Sequence, residues 1–243
     1  MPSIERTEIR MLAAGAVGEI VRDLAEDFQR VTGSTISAEW TRSPLVLERI
    51  RSGEIFDVVI TTQSRIAALV REGKLIADSA AILARSGIGV AVKAGETKPD
   101  TGTVDAFVHA LRTARSIACA DPAFGTASGL YLVELFDRLG LTAELKPKMR
   151  LIGAVGGKPV VVCEAVADGK AELGSQQIAE IVSVPGVDLV GPLPPEIQHM
   201  TVFAVAVAVA SVAQNPGLAR DYVTFPTSEA AKTVIAANGM EPG

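Results

Sequence analysis

Four short segments hold most of the anion-binding chemistry in this sequence. They are Ala14-Gly15-Ala16, Thr41-Arg42-Ser43-Pro44, Gly125-Thr126-Ala127-Ser128-Gly129 and Gly156-Gly157-Lys158-Pro159. Each follows a strand-like apolar run and opens a run with helical spacing. A turn of that kind offers unbonded backbone N–H groups and the positive end of a helix dipole. In parallel sheets, ligands bind beyond the carboxyl ends of the strands, where such turns gather. Four of them directed at one cleft would cage a small anion. Ser43, Thr126 and Ser128 add hydroxyl donors, Arg42 and Lys158 add full positive charge, and Gly15 lies in the first of these turns. Each residue has a plainer role: the hydroxyls as helix caps, Gly15 as a close-packing residue, the two cations as solvated charges. The recurrence at four equivalent positions favours a binding site.

Other chemistry is thin. His109 and His199 lie ninety residues apart without metal-ligand spacing, and no metal site is expected. Cys119 and Cys163 sit in apolar runs and match neither a CxxC nor a zinc pattern, so both read as small buried hydrophobes. No Walker A sequence, dinucleotide fingerprint or G-x-S-x-G elbow is present, so no cofactor is expected.

The elements that must carry these turns alternate along the chain. Ile9–Ala14 reads as a strand. Val17, Ile20, Val21, Leu24, Phe28 and Val31 follow at helical spacing, and Gly33 stops that helix. Ile36, Ala38 and Trp40 alternate as a half-buried strand. Ser43 then caps a second helix with Pro44 behind it, Phe56–Ile60 forms a buried strand, and Ser64 caps a third helix. The βαβαβα order implies a parallel sheet. Further strands are expected at 88–92, 116–120, 172–176, 187–190 and 202–209, with helices between them and two helices at the end.

Of the 243 residues, 48% are hydrophobic and only 4% aromatic, which suits buried strands covered by small-residue helices. The net charge of -5 and the absence of a Lys/Arg block exclude a phosphate-tracking surface, so no nucleic acid partner is expected. No apolar run reaches the roughly 20 residues that span a bilayer. The first ten residues carry Glu5 and Glu8 and do not read as a secretory signal. The expected location is therefore periplasmic if a signal has been removed, and cytoplasmic otherwise.

Several segments together resemble the molybdate-binding protein family of ABC transporters: Met11-Leu12-Ala13-Ala14-Gly15, Arg42-Ser43, Ile50–Ile60, Ala120-Asp121-Pro122, Ser128-Gly129-Leu130-Tyr131, Glu172-Leu173-Gly174 and Asn238-Gly239-Met240. The resemblance runs through nearly the whole chain in order. It implies an α/β, two-lobed, type II periplasmic-binding-protein fold, each lobe a mainly parallel sheet flanked by helices, with the ligand cleft between the lobes. Lobe I would be 1–86 plus 203–243, and lobe II 87–202. By the same resemblance Ser43 is a ligand serine, Gly15 stands where a second serine is usual, and Ser128 falls on an amide-donating loop. Pro159 lies near another amide-donating position although proline has no N–H, and Gln177 replaces a ligand tyrosine. Arg42 and Lys158 bring charge where the family uses neutral donors. Arginine suits planar carboxylates, so an organic anion is expected at least as much as molybdate.

The resemblance implies a monomeric solute-binding protein that delivers a small anionic ligand to an ABC transporter permease. One alternative is an isomerase moving the double bond of aconitate, with Lys158 as the base if its charge is suppressed. Another is a ligand-sensing domain.

Overall fold

The computed structural model describes residues 8–153, 161–209 and 216–243. In chain order it opens with β1 (Glu8–Ala14), α1 (Gly18–Thr32), β2 (Thr35–Thr41), α2 (Ser43–Arg51), β3 (Val58–Thr62), α3 (Gln63–Arg71) and β4 (Ala81–Ser86). There follow β5 (Ile88–Lys93), α4 (Val104–Thr113), β6 (Ile117–Ala120), α5 (Ala127–Arg138), α6 (Thr142–Leu145) and β7 (Met149–Ile152). Then come α7 (Val162–Ala167), β8 (Leu173–Gln177), α8 (Ile178–Val182), β9 (Val187–Pro192) and β10 (Thr201–Val207). The chain ends with α9 (Pro216–Thr224), α10 (Glu229–Ala237) and β11 (Glu241–Pro242).

Two compact units result, Met1–Arg85 with Val202–Gly243, and Ser86–Thr201. Each holds one mixed sheet flanked by helices. The first sheet has the order β11-β4-β10-β3-β1-β2, and the second β7-β6-β8-β5-β9. The parallel strands expected from the βαβ pattern form one part of each sheet: β1 lies between β2 and β3, parallel to both, and β6 lies between β7 and β8, parallel to both. The remaining described pairings, β10 with β3, β11 with β4, and β5 with β8 and β9, are antiparallel. The two units thus repeat one device, a central parallel strand with a parallel neighbour on each side.

Burial follows the sequence pattern. Every residue of β3 and β6 is buried, as expected for strands covered on both faces. In the first unit Leu12, Val59 and Ala204 meet Val46 and Ile50 of α2 and Ile66 and Leu69 of α3. In the second, Ile88, Val90, Ile117 and Cys119 meet Phe107 and Leu111 of α4 and Leu132, Leu135 and Phe136 of α5. Gly33 takes a left-handed φ of 72° just past α1, the stop that its position implied. Asp57 fastens β3 to β1 from a buried position: its carboxylate accepts the Arg10 N–H at 2.7 Å and its own N–H donates to Arg10 O at 2.7 Å.

Two expected caps differ. The second helix starts at Ser43 with Arg42 as its N-cap, and the third starts at Gln63 with Thr62 as its N-cap; neither has a side-chain capping bond. Ser43 and Ser64 are therefore first-turn residues. The extended backbones of Arg42 (φ -65°, ψ 145°) and Thr62 (φ -62°, ψ 146°) bring each chain straight from strand into helix. By contrast Thr126 caps as expected, accepting from Gly129 N, and Ser228 caps α10 by accepting from Ala231 N. Both cysteines are free and fully buried, and burial pushes each thiol up to about 12.

Candidate functional site

In the first unit the parallel triple β2-β1-β3 brings three strand-to-helix turns to one edge of the sheet. Gly15 follows β1, and Arg42 with Ser43 follows β2, so two of the expected turns are neighbours. Gly15, Arg42 and Ser43 are all partly exposed. Pro44 has no N–H, and Leu45 and Val46 donate back to Arg42 O at 3.0 and 3.2 Å. The third turn, Thr62-Gln63-Ser64-Arg65, follows β3 and is not among the four segments that the sequence singles out. In it Arg65 donates from Nη1 to Thr62 Oγ1 at 3.1 Å, and Thr62 Oγ1 lies 3.4 Å from Ser64 Oγ. Burial lowers the proton affinity of the Arg65 guanidinium. The signal was available: this turn ends a strand equivalent to the other two, yet Ser64 was read only as a cap.

In the second unit the triple β7-β6-β8 does the same. Beyond β6 the chain makes a short 3-10 turn, Pro122–Phe124, pinned by Ala123 N donating to Asp121 Oδ1 at 2.9 Å. Gly125 takes a φ of 64°, and Thr126 caps α5. Ser128 is 3% exposed, inside the first turn of that helix. Gly129 must lack a side chain, because a Cβ there would lie 2.7 Å from Ala120 O. Lys158 and Pro159, with Gly156 and Gly157, lie outside the described residues.

Gln177 ends β8, 2% exposed. Its amide is satisfied at both ends when its oxygen accepts from Thr201 Oγ1 at 2.7 Å and its nitrogen donates to Ser86 O at 3.0 Å. The side chain thus braces the two ends of the second unit. Next to it, Gln176 Oε1 accepts the Val162 N–H at the head of α7, at 3.0 Å.

Glu180, in the first turn of α8, is a further group that the sequence reading passed over. Burial pushes its carboxyl up to about 8, against hydrogen bonds from the Gln176 side chain and the Gln177 N–H that favour the ionised form. A carboxyl whose folded pKa is raised stabilises fully below its unfolded value near 4.5 and loses that contribution as pH rises through about 8. Part of the residue still reaches solvent, which reduces the effect. Glu180→Gln is therefore expected to gain about 1–2 kcal/mol relative to the wild type between pH 5 and pH 9. Melting temperatures of both proteins across that range test this; parallel curves would show that Glu180 does not titrate there.

A groove of about 660 Å³ lies at the other end of the second sheet, lined by Lys93, Thr97, Arg115, Arg150 and Glu172 among others. It holds none of the candidate residues, and Arg115 and Glu172 within it pair with each other at 2.9 Å. Among the described residues no His/Cys/Asp/Glu cluster could hold a metal, and no helix is long and apolar enough to cross a membrane.

Comparisons with known proteins agree with this fold. Residues 9–241 match the sequence model of a family described as bacterial extracellular solute-binding protein. The chain is 34% identical over 242 residues to an aconitate isomerase of a Pseudomonas species, covering 97% of this chain and 88% of that protein. It is 25% identical over 202 residues to the molybdate-binding protein ModA of Escherichia coli, covering 82% and 77%. Its fold matches the periplasmic molybdate-binding protein of Azotobacter vinelandii with a TM-score of 0.77 at 20% identity, covering 97% and 99%.

Proposed function

The chain belongs to the bacterial extracellular solute-binding protein family, and we propose that it binds an aconitate-type tricarboxylate and interconverts its double-bond isomers. The observation that carries this reading is the 34% identity to an aconitate isomerase, spread over 97% of the chain. The site chemistry supports it. Arg42 stands beside Ser43 at the carboxyl end of β2, and a guanidinium fork matches a planar carboxylate in a way that a tetrahedral oxyanion does not require.

The reaction needs no redox partner. A C–H bond breaks on the methylene next to a carboxylate, its electron pair forms the new double bond, and the old double bond takes up a proton at its far carbon. Arg42 clamps one carboxylate, with the Ser43 hydroxyl beside it to orient the substrate. The base proposed from the sequence is Lys158, which lies outside the described residues. The family's description as extracellular supports a periplasmic location.

A second reading is capture of a molybdate-like oxyanion for an ABC transporter permease. It is favoured by the hydroxyl donors Ser43 and Thr126 and by the likeness to molybdate-binding proteins. A thermal-shift panel of molybdate, tungstate, sulfate, phosphate, citrate, both aconitates and simple dicarboxylates separates the two. A ligand at 100 times its dissociation constant adds about 2.7 kcal/mol to the folded state. The aconitates are expected to raise the melting temperature, and proton NMR is expected to show trans- and cis-aconitate interconverting. Stabilisation by molybdate and tungstate alone would establish the second reading. Stabilisation by aconitates without turnover would leave a tricarboxylate-binding protein.

A further inference from the structure

We infer that Arg65 is a second carboxylate-recognising residue, which selects an organic polyacid over a single tetrahedral oxyanion. This rests on the carboxylate reading above and extends it to a residue outside the four turns. The placement comes from the sheet. β3 is parallel to β1, so the turn carrying Arg65 leaves the sheet at the same edge as Gly15 and as Arg42 with Ser43. The strand order β2-β1-β3 puts one strand between the two arginine-bearing turns. At about 4.8 Å per strand they stand about 10 Å apart, with Gly15 between them. Two guanidinium forks across that span can each engage a different carboxylate of one six-carbon acid. A lone oxyanion offers a single anionic group for the two to share.

The local geometry supports the role. Nη1 of Arg65 is 3.1 Å from Thr62 Oγ1, on the last residue of β3, so the guanidinium folds back over the carboxyl end of the strand. It is partly withdrawn from water there, and burial lowers its proton affinity. An arginine stays charged under these conditions, and a desolvated guanidinium attracts an anion more strongly than a solvated one. The adjoining Thr61 Oγ1 is 0% exposed and has no hydrogen-bond partner among the described residues.

The test is calorimetric titration of wild type, Arg65→Gln and Arg65→Lys with cis-aconitate, citrate, butyrate and molybdate, with melting curves of each unliganded protein. Arg65→Gln is expected to weaken both tricarboxylates at least tenfold and butyrate, whose single carboxylate Arg42 can hold, much less. Arg65→Lys, which keeps the charge but loses the fork, is expected to fall between. The tri-to-monocarboxylate ratio separates recognition from a structural role, because general loosening weakens every ligand alike. Unchanged tricarboxylate affinity in Arg65→Gln, or an equal loss for all ligands in both variants, overturns the inference. A wild type that binds molybdate and no tricarboxylate overturns the carboxylate reading itself, and the wild-type titration alone reveals that.

Discussion

Phe28→Ala is expected to cost about 4 kcal/mol of stability, the scale for deleting a fully buried aromatic ring. Phe28 is 1% exposed on the inner face of α1. Its ring meets Tyr222 edge-on at 5.2 Å and Phe225 edge-on at 5.4 Å. Such pairs contribute beyond the area they bury. Tyr222 is itself fully buried and its hydroxyl has no hydrogen-bond partner among the described residues, so the cavity left by alanine would adjoin a buried polar atom. The contact also joins segments almost two hundred residues apart: α1 near the start, and α9 with the turn after it near the end. The single tryptophan, Trp40, is on β2 of the same unit. Urea unfolding followed by its fluorescence therefore reports on the unit in which the cavity is made. A midpoint shift worth less than about 1 kcal/mol would show that the C-terminal helices contribute little to holding that unit together.

The parts legible in the sequence were those where burial constrains both faces of an element or where one residue type punctuates it. The apolar runs of β1, β3, β6 and β10 were readable because every neighbour had to be apolar. Gly33 was readable as a stop, and in the structure it takes the positive φ of 72° that a helix end of this kind needs. The strands that went unread lie toward the edges. β7 is partly exposed and pairs with β6 alone among the described strands, and β11 is only two residues long, so neither carries a pattern that periodicity can detect. β4 mixes Arg85 and Ser86 into a short run and looks more like a turn than a strand.

The site was legible in part for a related reason. Glycine- and hydroxyl-rich turns after β1, β2 and β6 stand out locally. The turns after β3 and β8 carry their polar groups behind ordinary-looking helix starts. Arg65 and Glu180 become candidates only once the strand order shows that their turns share an edge with the others. Gln177 shows the converse. It occupies the position where the resemblance placed a ligand tyrosine, and its amide is bonded to Ser86 and Thr201. A buried amide with both ends satisfied has little to offer a ligand without first breaking those bonds. Any contribution to binding from that position therefore comes through the brace it makes between the two ends of the second unit. On the proposed carboxylate reading, the charged recognition then falls to the turns of the first unit, which carry Arg42 and Arg65.

Arg42→Ala is accordingly expected to raise the dissociation constant for a tricarboxylate about 100-fold. Hydrogen bonds to charged groups contribute about 1.5–3 kcal/mol, and every 1.4 kcal/mol is a factor of ten. Losing a bidentate fork belongs at the upper end of that range. The fold should tolerate the change. Arg42 is the N-cap of α2 but makes no side-chain capping bond, and its backbone oxygen, which accepts from Leu45 and Val46, is unaffected by truncation. The melting temperature without ligand should therefore stay within a few degrees while calorimetric affinity for citrate and the aconitates collapses. Ser43→Ala, its neighbour, removes only a neutral hydroxyl and should cost about tenfold or less. If Ser43→Ala proves the more damaging of the two, hydroxyl donors dominate the site and Arg42 is a surface charge. The oxyanion reading would then account for the first unit better than the carboxylate one.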